Sequence, residues 1–119
     1  LKPPRGSSPR ASPTMRPPPE PARSDIDALA GPTLLEFGTS WCSHCRAAQP
    51  DIAAALGARP QVRHIKVEDG SGRALGRSFG VKLWPTLVFP RDGKEIDRVV
   101  RPRDVDAIDA ALRAILPVD

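Results

Sequence analysis

Cysteine is scarce in this chain, with two in 119 residues, at positions 42 and 45. Two thiols so close together cannot build the disulfide framework of a small secreted domain, and they read instead as a working pair. No stretch approaches the roughly 20 apolar residues that a membrane-spanning helix needs. Nor does the apolar core of a secretory leader follow the basic residues near the start. The sequence therefore predicts a soluble protein with no membrane association and a cytoplasmic location, or a periplasmic or secreted one if the native start carries a signal absent here. Residue 1 is leucine, and Met15, the only methionine, is a candidate initiator that would leave residues 1–14 outside the native chain. There is no internal repeat.

The larger part of the chain also lacks a charge of one sign. Residues 1–24 carry Lys2, Arg5, Arg10, Arg16 and Arg23 against Glu20, whereas the remaining 95 residues hold 13 basic and 13 acidic side chains. The net charge of +4 thus belongs to the N-terminal segment, and the rest offers no electrostatic reason to bind nucleic acid. Eight of the 15 prolines fall in the same 24 residues. With almost no apolar side chains to offset the entropy of ordering, residues 1–24 are expected to be a disordered Pro/Arg/Ser-rich tail, and residues 25–119 a single domain.

What is present beyond residue 24 alternates between strand-like and helix-like patterns. Ser24 or Asp25 is placed to cap a short helix through Ile26 and Leu29 that Gly31-Pro32 ends. Thr33 to Gly38 is a nearly continuous apolar run, which suits a strand buried on both faces and puts the carboxylate of Glu36 in a poor place for one. Ala47, Ala48, Ile52, Ala55 and Leu56 recur at helical spacing from the cysteines to Gly57, with Pro50 inside. Val62 to Val67 alternates as a strand, and Arg73 to Phe79 suits a short helix. Thr86 to Phe89 and Glu95 to Val100 flank the turn signal Arg91-Asp92-Gly93 and are expected to pair antiparallel. Pro102 opens a last helix with the stripe Val105, Ile108, Leu112 and Ile115. This order implies an α/β fold with a mixed sheet and helices on both faces.

Cysteines at i and i+3, the second inside a helix, lie about one turn apart, within reach of a disulfide. The loop they close is too short to stabilise the fold much, so reversible oxidation is the better reading. Cys42 falls at the helix N-terminus, where unpaired N–H groups and the helix dipole favour a solvent-open thiolate, which makes it the nucleophile. Cys45, one turn deeper, would resolve the mixed disulfide. His44 is placed to stabilise the Cys42 thiolate by charge or N–H donation; its alternative is a solvated loop residue. Zinc fits poorly, because His44 sits between the cysteines and His64 is most simply a surface residue of its strand. No metal site is expected.

Trp41-Cys42-Ser43-His44-Cys45, Pro50 within the following helix, and Trp84-Pro85-Thr86 together resemble the thioredoxin superfamily over about residues 25 to 116. The resemblance implies a thioredoxin fold with a four-stranded mixed sheet, the family's first edge strand being shortened or absent. It implies a protein-disulfide oxidoreductase that needs no cofactor beyond the Cys42–Cys45 disulfide. Its partners would be protein dithiols and disulfides together with an upstream reductase or oxidant, and the protein itself a monomer. Trp84-Pro85 would be a cis peptide whose loop docks substrate beside Trp41. Glu36 takes the place of a buried aspartate that exchanges the proton of the second cysteine, and burial should raise its pKa toward neutrality. Lys66 matches the lysine beside that acid; alternatively the two only neutralise each other. Arg101 stands where the family has a substrate-groove glycine, and Ser43-His44 replaces Gly-Pro, similar to the periplasmic oxidants, so a potential more oxidising than that of a typical thioredoxin is expected. The rival reading is a peptide- or metal-binding module of the same fold with little redox turnover.

Overall fold

The computed structural model describes residues 20–117. They form α1 (Arg23–Asp27), β1 (Thr33–Gly38), α2 (Ser43–Gly57), β2 (Arg63–Glu68), α3 (Ala74–Ser78), β3 (Thr86–Arg91), β4 (Lys94–Val100) and α4 (Val105–Ile115). The strands lie in the order β2-β1-β3-β4. β1 runs parallel to β2 and antiparallel to β3, and β3 is antiparallel to β4. A parallel neighbour requires a crossover, which α2 supplies, while the β3–β4 pair needs only a hairpin. Its turn residues Asp92 and Gly93 both have positive φ, the conformation a two-residue hairpin of matching twist demands.

β1 is buried on both faces, as its apolar run predicts. Leu34 faces a core made with Ile52 and Ala55 of α2, Leu87 and Phe89 of β3, and Ile108, Leu112 and Ile115 of α4. Leu35 and Phe37 face the opposite core, with Ile26, Val67, Leu75, Phe79 and Val88. Each fully buried side chain of this size contributes about 1.5–3 kcal/mol by leaving water. Alternation then fixes the side of Glu36: it points the way Leu34 does, toward α2.

Three local expectations are corrected. α4 starts at Asp104, whose carboxylate caps the helix by accepting from the N–H of Ala107 at 3.2 Å, and not at Pro102. α1 is entered from Ala22, not Ser24 or Asp25; Asp25 sits inside and its carboxylate accepts the Ala22 N–H at 3.0 Å. Residues 20–24, grouped with the tail on composition, are tied to the domain. Glu20 accepts the N–H of Leu75 at 3.0 Å and lies 3.5 Å from Nε of Arg73, and the Arg23 guanidinium sits 3.9 Å above the Phe79 ring. Isolated charges in a proline-rich segment thus find partners on α3 that composition does not reveal. The expected disorder of residues 1–19, and Met15 with it, lies outside the described residues. Among the described residues no helix is long and apolar enough to cross a membrane.

Candidate active site

Cys42 is the N-cap of α2: its Sγ accepts the N–H of Cys45 at 3.2 Å, taking the place that a serine or aspartate oxygen usually fills. Both cysteines are free thiols. Burial disfavours ionisation of Cys42. The Cys45 thiol and N–H, the backbone N–H of His44 and the charge of Arg101 outweigh it and bring the thiol below its ordinary value. Cys45 moves the other way, pushed up to about 11 by burial and by the Cys42 sulfur it donates to. One helix turn therefore carries an easily ionised sulfur and a reluctant one.

Two details differ from the sequence reading. Cys42 is only 8% exposed and Cys45 4%, so the first cysteine offers solvent little more surface than the second. The imidazole of His44 is exposed and makes no hydrogen bond among the described residues. Its contribution to Cys42 comes through its main chain, because the helix start points N–H groups, and not side chains, at the capping atom.

Glu36 lies below the pair on the α2 side of β1. Its Oε2 accepts from Nε2 of Gln49 at 2.6 Å, and its Oε1 is 2.8 Å from Nε2 of His64. The same Gln49 nitrogen donates to the Cys45 carbonyl at 3.0 Å, joining the carboxylate to the turn that holds the cysteines. Lys66 pairs in register with Glu36 across the strands, yet its Nζ donates to Oε1 of Gln49 at 3.3 Å and makes no ion pair with the carboxylate. Lys66 acts on Glu36 through Gln49 and through space. Burial would raise the Glu36 pKa, as the sequence led one to expect. The bonds from His64 and Gln49 and the charge of Lys66 together prevail and leave it below the ordinary carboxylate value. A cleft of about 370 Å³ lined by Glu36, Cys45, Gln49 and Lys66 gives water access to the group.

The Trp84–Pro85 peptide is cis. Arg101 secures this loop twice, its backbone N–H donating to the Pro85 carbonyl at 2.9 Å and its Nε to the Trp84 carbonyl at 2.8 Å. It does so at φ 51°, a left-handed conformation that costs a side chain energy and suits glycine. The Trp84 indole donates to Oδ2 of Asp69 at 2.8 Å and meets Trp41 edge to face, ring centroids 5.7 Å apart. Trp41 itself is 69% exposed. A second cleft, about 510 Å³, runs beside the pair past His44, Leu83, Val100, Arg101 and Arg103.

The thioredoxin family model matches residues 22–114. The chain belongs to the thioredoxin family. Thioredoxin 2 of Pseudomonas aeruginosa PAO1, solved in its reduced form, is 58% identical and superposes with a TM-score of 0.73 over 81% of this chain and 89% of that one. Thioredoxin H-type 1 of Nicotiana tabacum is 37% identical over 67 residues, 56% of this chain and 53% of that protein. Protein disulfide-isomerase erp38 of Neurospora crassa is 42% identical over 83 residues, 65% of this chain and 22% of that protein. The match thus spans about half the length of the tobacco relative and less of the Neurospora one.

Within this thioredoxin fold the structure brings Cys42, Cys45, Trp41, Trp84, Pro85 and Arg101 to one end of the sheet, with Glu36 and Lys66 beneath. Three further residues were missed in the sequence. Gln49 had a signal, lying one helix turn after Cys45 on the same face. His64 had one too, two residues before Lys66 and so on the same side of β2. His64 is exposed, as the alternation of its strand suggests, but that side of β2 faces the α2 layer, where its ring reaches Glu36. Asp69, in the loop after β2, carries no pattern that predicts its bond to Trp84.

Proposed function

We propose that the protein exchanges its Cys42–Cys45 dithiol and disulfide with protein substrates. The observation that carries this reading is the split between the two sulfurs: Cys42 is capped by N–H groups and ionised more easily than a free thiol, and Cys45 is held protonated one turn below. Cys42 attacks a substrate disulfide, and Cys45 then displaces the reduced substrate. Glu36, held ionised, receives the Cys45 proton only as the new sulfur–sulfur bond forms. The Trp84-Pro85 loop, braced by Arg101, and the exposed rings and aliphatics of Trp41, Leu83 and Val100 dock the extended substrate chain. No cofactor enters the cycle, and the partners are protein dithiols and disulfides with a reductase or oxidant upstream. The charge of Arg101 beside Cys42 and the Ser43-His44 dipeptide support a potential between about −270 mV, typical of thioredoxin, and about −120 mV, typical of a strong oxidant.

The test traps the intermediate. Cys45→Ser is expected to accumulate a mixed disulfide through Cys42 with a disulfide-bonded protein, and Cys42→Ser to accumulate none. Attachment through residue 45, or no adduct with either variant, defeats the reading. Equilibration in glutathione buffers then gives the potential, and a value at or below that of thioredoxin removes the more oxidising assignment.

A further inference from the structure

We propose that His64 is a positioning residue for the resolving step, holding the Glu36 carboxylate in place as the base for Cys45; this rests on the roles given to Cys42 and Cys45 above. Each carboxylate oxygen of Glu36 has its own donor, His64 Nε2 on Oε1 at 2.8 Å and Gln49 Nε2 on Oε2 at 2.6 Å. The Gln49 amide is in turn fixed, since Nζ of Lys66 donates to its oxygen and its nitrogen donates to the Cys45 carbonyl. The carboxylate therefore cannot turn away from the cleft it shares with Cys45 without losing both bonds. The His64 ring joins the interior to the surface: its side chain is 29% exposed, that of Glu36 5%. Around the pair stand Lys66 and Glu68 of β2, Arg46 of α2 and the thiol of Cys45.

In the mixed disulfide, the Cys45 proton passes to Glu36, directly or through a water in the cleft, as the Cys45 sulfur bonds to Sγ of Cys42. The bond from Cys42 to the substrate sulfur breaks, and the substrate leaves as a thiolate that takes a proton from solvent. The enzyme cysteines end oxidised to a disulfide and the substrate sulfur ends reduced, so no other reagent is consumed. Because Cys45 holds its proton tightly and Glu36 lies below the ordinary carboxylate value, the proton does not move ahead of the chemistry; its transfer is coupled to formation of the sulfur–sulfur bond. A base that stays ionised and aimed is what this step requires. An imidazole N–H that donates to it keeps the carboxylate both ionised and aimed.

The experiment is a stopped-flow reaction of the reduced full chain with an aromatic disulfide reagent, which releases one chromophore when Cys42 attacks and a second when Cys45 resolves. For His64→Leu, the second phase is expected to slow about tenfold at neutral pH, the scale of a lost hydrogen bond to a charged group, and its acid limb to move to higher pH. His64→Gln keeps a donor, so it should restore both the rate at neutral pH and the position of the acid limb. In a Glu36→Gln background, His64→Leu should have no further effect. Unchanged rate and pH profile in His64→Leu, or an equal slowing with and without Glu36, overturns the proposal. If the wild-type chain gives no first phase, the reading of Cys42 falls, and this one with it.

Discussion

Gly38 ends β1 directly beneath the second sulfur, and replacing it with alanine is the sharpest structural test of the site. A Cβ built there would lie 2.5 Å from Sγ of Cys45, where ordinary contact begins at 3.4 Å, so the sulfur must retreat by about 0.9 Å. The strand cannot yield instead: Gly38 pairs with Glu68 of β2, and its carbonyl accepts the N–H of Asp69 at 2.9 Å. Overpacking a filled interior costs about 1–3 kcal/mol. Alanine returns about 0.4–1 kcal/mol by restricting the unfolded chain. The net loss should be about 1–2 kcal/mol, each kcal/mol lowering Tm by about 4–8 °C in a domain of this size. Displacing the Cys45 thiol also removes a donor from Cys42, whose pKa should then rise. Urea unfolding of the reduced protein and the pH dependence of Cys42 alkylation measure the two effects. A Gly38→Ala protein with an unchanged urea midpoint and an alkylation profile superimposable on wild type would refute the packing argument.

Arg101→Gly relieves the left-handed backbone, worth about 1–2 kcal/mol, and forfeits a side-chain bond worth about 0.5–1.5 kcal/mol. Stability should therefore change little while the alkylation midpoint of Cys42 rises with the lost charge; a midpoint that stays put means that Arg101 does not act on the sulfur. Glu36, its folded-state pKa held below 4.5, contributes stability that is present above that value and lost as pH falls through the lower, folded-state one. Acidification below 4.5 should lower the urea midpoint of wild type more than that of Glu36→Gln, and equal falls would count against the ionised Glu36. Cys45, raised from 9.0 to about 11, has the opposite sense: its share of stability is full below 9.0 and drains away up to about 11. The reduced Cys45→Ser variant should therefore lose less stability than wild type over that alkaline range in the same urea assay.

Much of this fold is legible in short windows of the chain. The continuous apolar run of β1, the Asp92-Gly93 turn, the stripe of Ile108, Leu112 and Ile115 on α4, and two cysteines one turn apart at a helix start are all periodicities or local conformational demands. Each is set by residues close in the chain. Which charges meet is settled by packing. His64 bonds to Glu36 across 28 positions, Trp84 to Asp69 across 15, and Glu20 to the N–H of Leu75 across 55. Nothing local predicts these pairs, because each depends on strand order and on which face a neighbouring helix covers. The same cause reversed the expectation for Glu36. Burial, which a run of apolar neighbours announces, pushes its proton affinity up; the donors that pull it back down come from β2 and α2 and exist only once the sheet and helix have packed.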